Sequence, residues 1–285
     1  MVQKINIHIL LLLWLLTSLT ANGAIRVVER AQADSMRVAQ VSYNGRICPL
    51  NTAARQFCLK ITGRSSFRDF TPEQVLLSWE LYPEEWKDVP MIKVKSAEVR
   101  QLIGIEDKYA RFSDFFDKQG NYRLPPDKHP EIDERLSLIV LATRGEFYSP
   151  LPPNQKILSA RRVKAELLYN AVPWDIVLSV CCFTLALLTL LLKDRGKYLR
   201  RSLTAATLAL TLFLALSLTL RTYVAGHLPL SNTYETLQAI AMTALIIATC
   251  SMKLRMAALL VGGATSLVAH IGALDPQITP LMPAL

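Results

Sequence analysis

Apolar residues crowd into two parts of this chain, residues 5–21 and the region from Trp174 onward, and a polar block about one domain long separates them. The first run follows Lys4 and ends at Ala21-Asn22-Gly23-Ala24. Residues 1–24 therefore read equally as a signal peptide with a small-residue cleavage site or as a retained signal anchor, since about 17–20 apolar residues just span a ~30 Å hydrocarbon core. A second span is expected over Trp174–Leu192. The stretch Lys193–Arg201 that follows carries five positive charges against one negative, which marks the cytoplasmic side. Leu203–Leu220 then leads outward, Leu237–Cys250 returns to Lys253 and Arg255, and Met256–Ile271 makes a short further span. Residues 272–283 hold three prolines and no basic residue, so they end the helix and belong outside. Every basic loop thus falls on one side, and residues 25–172, the segment 226–237 and the C-terminal tail fall on the other. The inverted arrangement sets the five positive charges outside and is disfavoured.

Within the polar block the pattern predicts a mixed α/β, mostly helical, extracytoplasmic domain over residues 25–172. Val38–Tyr43 alternates as a strand does, and Asn44-Gly45 is a two-residue hairpin signal. Asn51–Leu59 has a capping residue and helical spacing. Thr71-Pro72-Glu73-Gln74 combines a cap, a proline in the first turn and an acid at the positive end of the dipole. Ser96–Ile103 and Glu131–Leu141 are further helices, and Pro150-Leu151-Pro152-Pro153 opens a linker back to the membrane.

Composition agrees with the pattern. A chain of 285 residues with 51% hydrophobic and 19% charged residues and a mean hydropathy of +0.26 is too apolar for an ordinary soluble domain. The expected class is an α-helical integral membrane protein with about four to five spans, residues 173–285 forming the membrane domain. Much of the excess in the net charge of +9 is the cluster after the second span, which supplies +4 of it. No nucleic-acid motif accompanies it, and acidic lipid headgroups are its natural partners. The spans carry almost no charge, which removes the polar pathway that a small-solute transporter needs.

The polar block offers no catalytic constellation and no metal site. His129 stands beside Pro130 without ligands at metal spacing and reads as an exposed loop histidine. Cys48 and Cys58 lie on the oxidising side and read equally as a disulfide or as buried free thiols. No CxxC occurs, which argues against a thioredoxin-like donor. Cys181, Cys182 and Cys250 are taken as small apolar residues of the spans.

Gly226-His227-Leu228-Pro229-Leu230-Ser231-Asn232-Thr233-Tyr234-Glu235-Thr236-Leu237 is the most distinctive segment, a polar, turn-rich loop wedged between two spans. Ser231 and Asn232 are expected to cap a helix starting near Thr233, with Glu235 at its positive end. This GHxPxSNxYE wording after Leu220-Arg221-Thr222-Tyr223 resembles the start of the conserved core of the CcsA family, membrane proteins of cytochrome c assembly. Tyr43–Ala54, a GRIxPxNTxA pattern, with Gln74–Leu77, Pro83–Trp86 and Pro90–Lys93, resembles the segment that precedes the CcsA part in fused CcsB–CcsA proteins of Bacteroidetes-type bacteria. Asp275-Pro276-Gln277-Ile278-Thr279-Pro280-Leu281 completes the match.

The resemblance implies haem (b-type, in transit) delivered at the outer face of the cytoplasmic (inner) membrane, residues 25–172 being periplasmic, and haem attachment to apocytochrome c. The family is associated with haem lyase activity at a tryptophan-rich WWD loop. The only tryptophans here are Trp14, Trp79, Trp86 and Trp174. The chain is therefore expected to be one portion of a longer or split assembly protein, acting with a WWD-containing CcsA-type chain or downstream part and not ligating haem alone. His227 and His270 are the candidate haem ligands, against readings as a histidine bonded to the Ser231-Asn232 turn and as a wet interfacial histidine. Arg221 is a candidate for a haem propionate, against snorkelling to lipid phosphate. The competing function is a membrane-anchored interaction scaffold with no haem role, or a nonfunctional remnant.

Overall fold

The structure is a computed structural model that describes residues 25–151, 157–192, 196–228, 230 and 232–273. The apolar run within residues 1–24, Pro229 and Ser231 of the motif loop, and Asp275, Pro276, Gln277, Thr279 and Pro280 lie outside the described residues.

After a first helix α1 (Arg30–Met36), the chain makes the hairpin that Asn44-Gly45 requires. Strands β1 (Gln40–Tyr43) and β2 (Arg46–Pro49) pair antiparallel with Tyr43 opposite Arg46. Both turn residues take positive φ, 49° and 74°, the conformation that suits Asn and Gly. Helix α2 (Leu50–Thr62) follows β2 directly, so its N-cap is Pro49 and not the expected Asn51. Asn51 is buried inside the first turn, where its amide donates to Glu73 at 2.6 Å. Helix α3 (Pro72–Leu81) starts with a complete capping box, Thr71 and Gln74 each accepting from the other's backbone N–H. The short α4 (Pro83–Trp86) and strand β3 (Ile92–Lys93) lead to α5 (Ala97–Ile103), which Ser96 caps. Strand β4 (Tyr109–Ala110) pairs with β3, and α6 (Pro130–Thr143) closes the layer. These elements surround one core in which Phe57, Leu76, Trp79, Trp86 and Ile139 are buried. Each indole finds a partner there, Trp79 at Met91 Sδ (3.1 Å) and Trp86 at the Arg26 carbonyl (3.0 Å).

The stretch expected as a linker instead contains helix α7 (Ala160–Ala171), capped by Ser159. Pro173 separates it from α8 (Trp174–Leu191). Then come α9 (Lys197–Ala225), α10 (Thr233–Cys250) and α11 (Arg255–Ala273), and these four helices are long and apolar enough to cross a membrane. Helix α9 is longer than the apolar run Leu203–Leu220. Its 29 residues reach about 43 Å, longer than a ~30 Å hydrocarbon layer. Small residues let α11 wedge between α8 and α10. A Cβ on Gly263 would lie 3.1 Å from Cys182 and Phe183, and one on Gly262 would meet the Ala241 carbonyl at 3.6 Å. Ser179 adds a hydrogen bond to the Gly263 carbonyl at 3.0 Å. Arg255 is buried at the basic end, where it donates to the Ala248 carbonyl and to Thr204. The opposite helix ends carry α7 and the domain of residues 25–151.

Candidate functional site

The motif loop begins where α9 stops. Gly226 has φ 83°, and a Cβ there would come within 3.0 Å of Arg162, whose guanidinium donates twice to the Val224 carbonyl (2.6 and 3.0 Å). Glycine thus allows α7 to cap the exposed carbonyls of α9. Across the loop, Asn232 caps α10 by accepting from the Glu235 N–H at 2.9 Å, as its position before Thr233 predicts.

Glu235 then turns inward. Its carboxylate pairs with Arg221 Nε at 2.9 Å, and both side chains are only 1% exposed. Arg221 also donates to the Tyr169 hydroxyl (3.1 Å), and its guanidinium lies 4.7 Å above the Tyr234 ring. The Tyr234 hydroxyl reaches Asp175 at 2.8 Å, and Gln238 donates to the same carboxylate. One buried network therefore ties α7, α8, α9 and α10 together at the end that faces the domain. Arg221 does not snorkel to lipid: it is buried, and Glu235, Tyr169 and Tyr234 all contact its guanidinium.

A second network joins α7 to the domain. Glu166 is fully buried and accepts from Arg46 (2.5 and 3.2 Å) and from Thr52 (2.6 Å). Asn170 donates to Asn51 (3.1 Å) and Thr52 (2.9 Å). Arg46, Asn51 and Thr52 belong to the GRIxPxNTxA pattern, so that pattern works as the seat of α7. Sequence reasoning missed α7 altogether. Its signals were Ser159 as a cap and thirteen residues without glycine or proline before Pro173.

Cys48 and Cys58 are both buried and unpaired. Burial pushes the Cys48 thiol up to about 12, with Arg46 opposing, and burial likewise raises Cys58. Both are protonated and unreactive near neutral pH. His129, expected in an exposed loop, is half-buried at the N-terminus of α6. Among the described residues no group of three or more His, Cys, Asp or Glu is placed to hold a metal ion.

Between α2 and the ends of the spans lies a cavity of about 380 Å³, and Arg221, Tyr234 and His270 line it together with Asp175. His270, in the last turn of α11, thus faces the domain interface and not open lipid. His227 lies apart from the cavity, its Nδ1 2.8 Å from the Leu228 carbonyl oxygen. The structure brings His270, Arg221 and Tyr234 to one place, whereas Gly226, Asn232 and Glu235 act as supports around it.

The chain is similar to protein NrfI of Wolinella succinogenes. The two are 28% identical over an alignment of 332 positions that covers 85% of this chain and 37% of NrfI. This chain therefore spans little more than a third of that relative's length. No family model matches it.

Proposed function

We propose that this chain is a component of cytochrome c assembly that handles haem in transit at the outer face of the cytoplasmic membrane, alongside a WWD-containing CcsA-type chain or segment. The domain of residues 25–151 then lies on the periplasmic side and offers the surface on which apocytochrome c docks. The observation that supports this reading is the placement of the motif segment: it packs with α7, on which the domain is seated, at one end of the four candidate spans, the end where His227 and His270 also lie.

Haem is cargo in this scheme, and the residues present suit a transient hold. Haem iron takes an imidazole as axial ligand. Among the described residues His270 makes no hydrogen bond that its coordination of iron would break, and Trp174 and Ile176 supply apolar wall beside it. No catalytic residue for thioether formation is assigned to this chain.

The test is haem retention. The chain is purified in detergent, with and without a co-expressed WWD-containing chain, and its visible spectrum is recorded beside His227→Ala and His270→Ala. A Soret band that depends on the partner and falls at least threefold in one variant supports the reading and names the ligand.

One observation favours a second reading. Arg221, Tyr234 and Glu235 are all engaged in packing, as the motif of a scaffold without a haem role would be. No Soret band under either condition, with apocytochrome still bound, establishes the scaffold.

A further inference from the structure

The wall of the cavity opposite the spans belongs to α2 and the turn after it, where Arg55, Gln56, Leu59 and Arg64 line the space. Among the described residues neither Arg55 nor Arg64 has a carboxylate at ion-pair distance or a side-chain hydrogen bond. Glu73 acts on Arg55 only through space and is itself bonded by Asn51. Burial lowers the Arg55 guanidinium below its ordinary value, the mark of a cation held out of water without a counter-charge. Next to it Gln56 Oε1 is buried with no hydrogen-bond donor. Among the described residues the one carboxylate facing the cavity, Asp175, is satisfied by Tyr234 and Gln238. On this wall of the cavity, among the described residues, the vacant valences are thus two cationic donors and one acceptor, which call for an anion that also carries a hydrogen-bond donor.

The floor of the cavity leads onto a candidate span. Ile176 lines it and begins a helical stripe with Val180, Phe183 and Leu187, which are 42%, 59%, 37% and 55% exposed along one face of α8. The polar end of the site therefore sits at headgroup height, above a continuous apolar ridge that runs down a span.

We propose that this cavity binds a membrane phospholipid whose headgroup carries a hydroxyl or ammonium donor, as phosphatidylglycerol and phosphatidylethanolamine do. Arg55 and Arg64 hold the phosphodiester, Gln56 accepts from the headgroup donor, and an acyl chain lies along Ile176–Leu187. The lipid is a structural ligand that bridges the domain and the spans, and it occupies the cavity when haem does not.

The experiment is native mass spectrometry of the full chain in detergent, titrated with phosphatidylglycerol, phosphatidylethanolamine, phosphatidylcholine or inorganic phosphate. The expected result is a one-to-one adduct with the first two lipids, weaker retention of phosphatidylcholine, and at least a tenfold loss of affinity in Arg55→Gln/Arg64→Gln. Arg64→Gln alone, at an exposed side chain that does not endanger folding, is expected to lose severalfold. Equal lipid retention by wild type and both variants overturns the site. Inorganic phosphate that displaces the lipid fully at equal concentration overturns the lipid assignment in favour of a free anion.

Discussion

Arg221 sits near the end of an apolar helix, where a lone cation would ordinarily reach for headgroups, yet it is buried because Glu235, Tyr169 and Tyr234 converge on it. Breaking that set should be costly. Arg221→Gln leaves Glu235 as an uncompensated buried charge and is expected to destabilise the protein by about 3–5 kcal/mol. Arg221→Met/Glu235→Leu, which removes both charges, is expected to recover most of that loss in thermal unfolding in detergent. Glu80 offers a titration in the soluble part. Burial raises its carboxyl to about 7, with the Tyr148 hydroxyl, 3.2 Å away, opposing. The folded state then binds the proton more tightly than the unfolded state does, so the stabilisation is full below the unfolded value of 4.5 and disappears as pH rises through 7. Wild-type stability should therefore fall across that window, and Glu80→Gln should flatten the fall.

At the level of elements, local signals were read well wherever a few neighbouring residues decide the outcome. The Asn44-Gly45 hairpin, the Thr71 cap and the Asn232 cap all form as their sequences predict. Asn232→Ala should cost about 1 kcal/mol by freeing the Glu235 N–H at the start of α10, measured as a lower thermal midpoint in detergent. Helix α7 was not foreseen, and the reason is physical. Its buried positions include Glu166 as well as Val163 and Tyr169, so a polar side chain occupies the face that apolar periodicity would have marked. Asn51 was misread for a related reason: it looks like a cap, but the chain enters α2 straight from β2 and carries Asn51 into the core.

On the scale of the whole molecule, four candidate spans and a domain packed on one end of them make a multi-pass membrane protein. The orientation proposed here has a direct check. With Cys250 replaced by serine, a cysteine at exposed Lys118 should react with an impermeant thiol reagent from outside intact cells. One at Tyr198, 86% exposed beside the basic cluster, should react only after the membrane is opened. Labelling of both positions from outside, or of Tyr198 alone, would reverse or dismantle the topology.

The four spans among the described residues, their order, the hairpin and the caps at Thr71 and Asn232 could be read from the chain alone. Each depends on free energies that accrue residue by residue or within a single turn: transfer of an apolar run into lipid, a φ preference, one capping bond. The burial of Arg221, the role of the GRIxPxNTxA residues, the free state of Cys48 and Cys58, and the cavity that His270 faces arose only on folding. Their partners lie far away in the sequence, 52 residues for Arg221 with Tyr169 and 120 for Arg46 with Glu166. A charge is cheap to bury only once such partners have been brought to it, and no local pattern records that they will be.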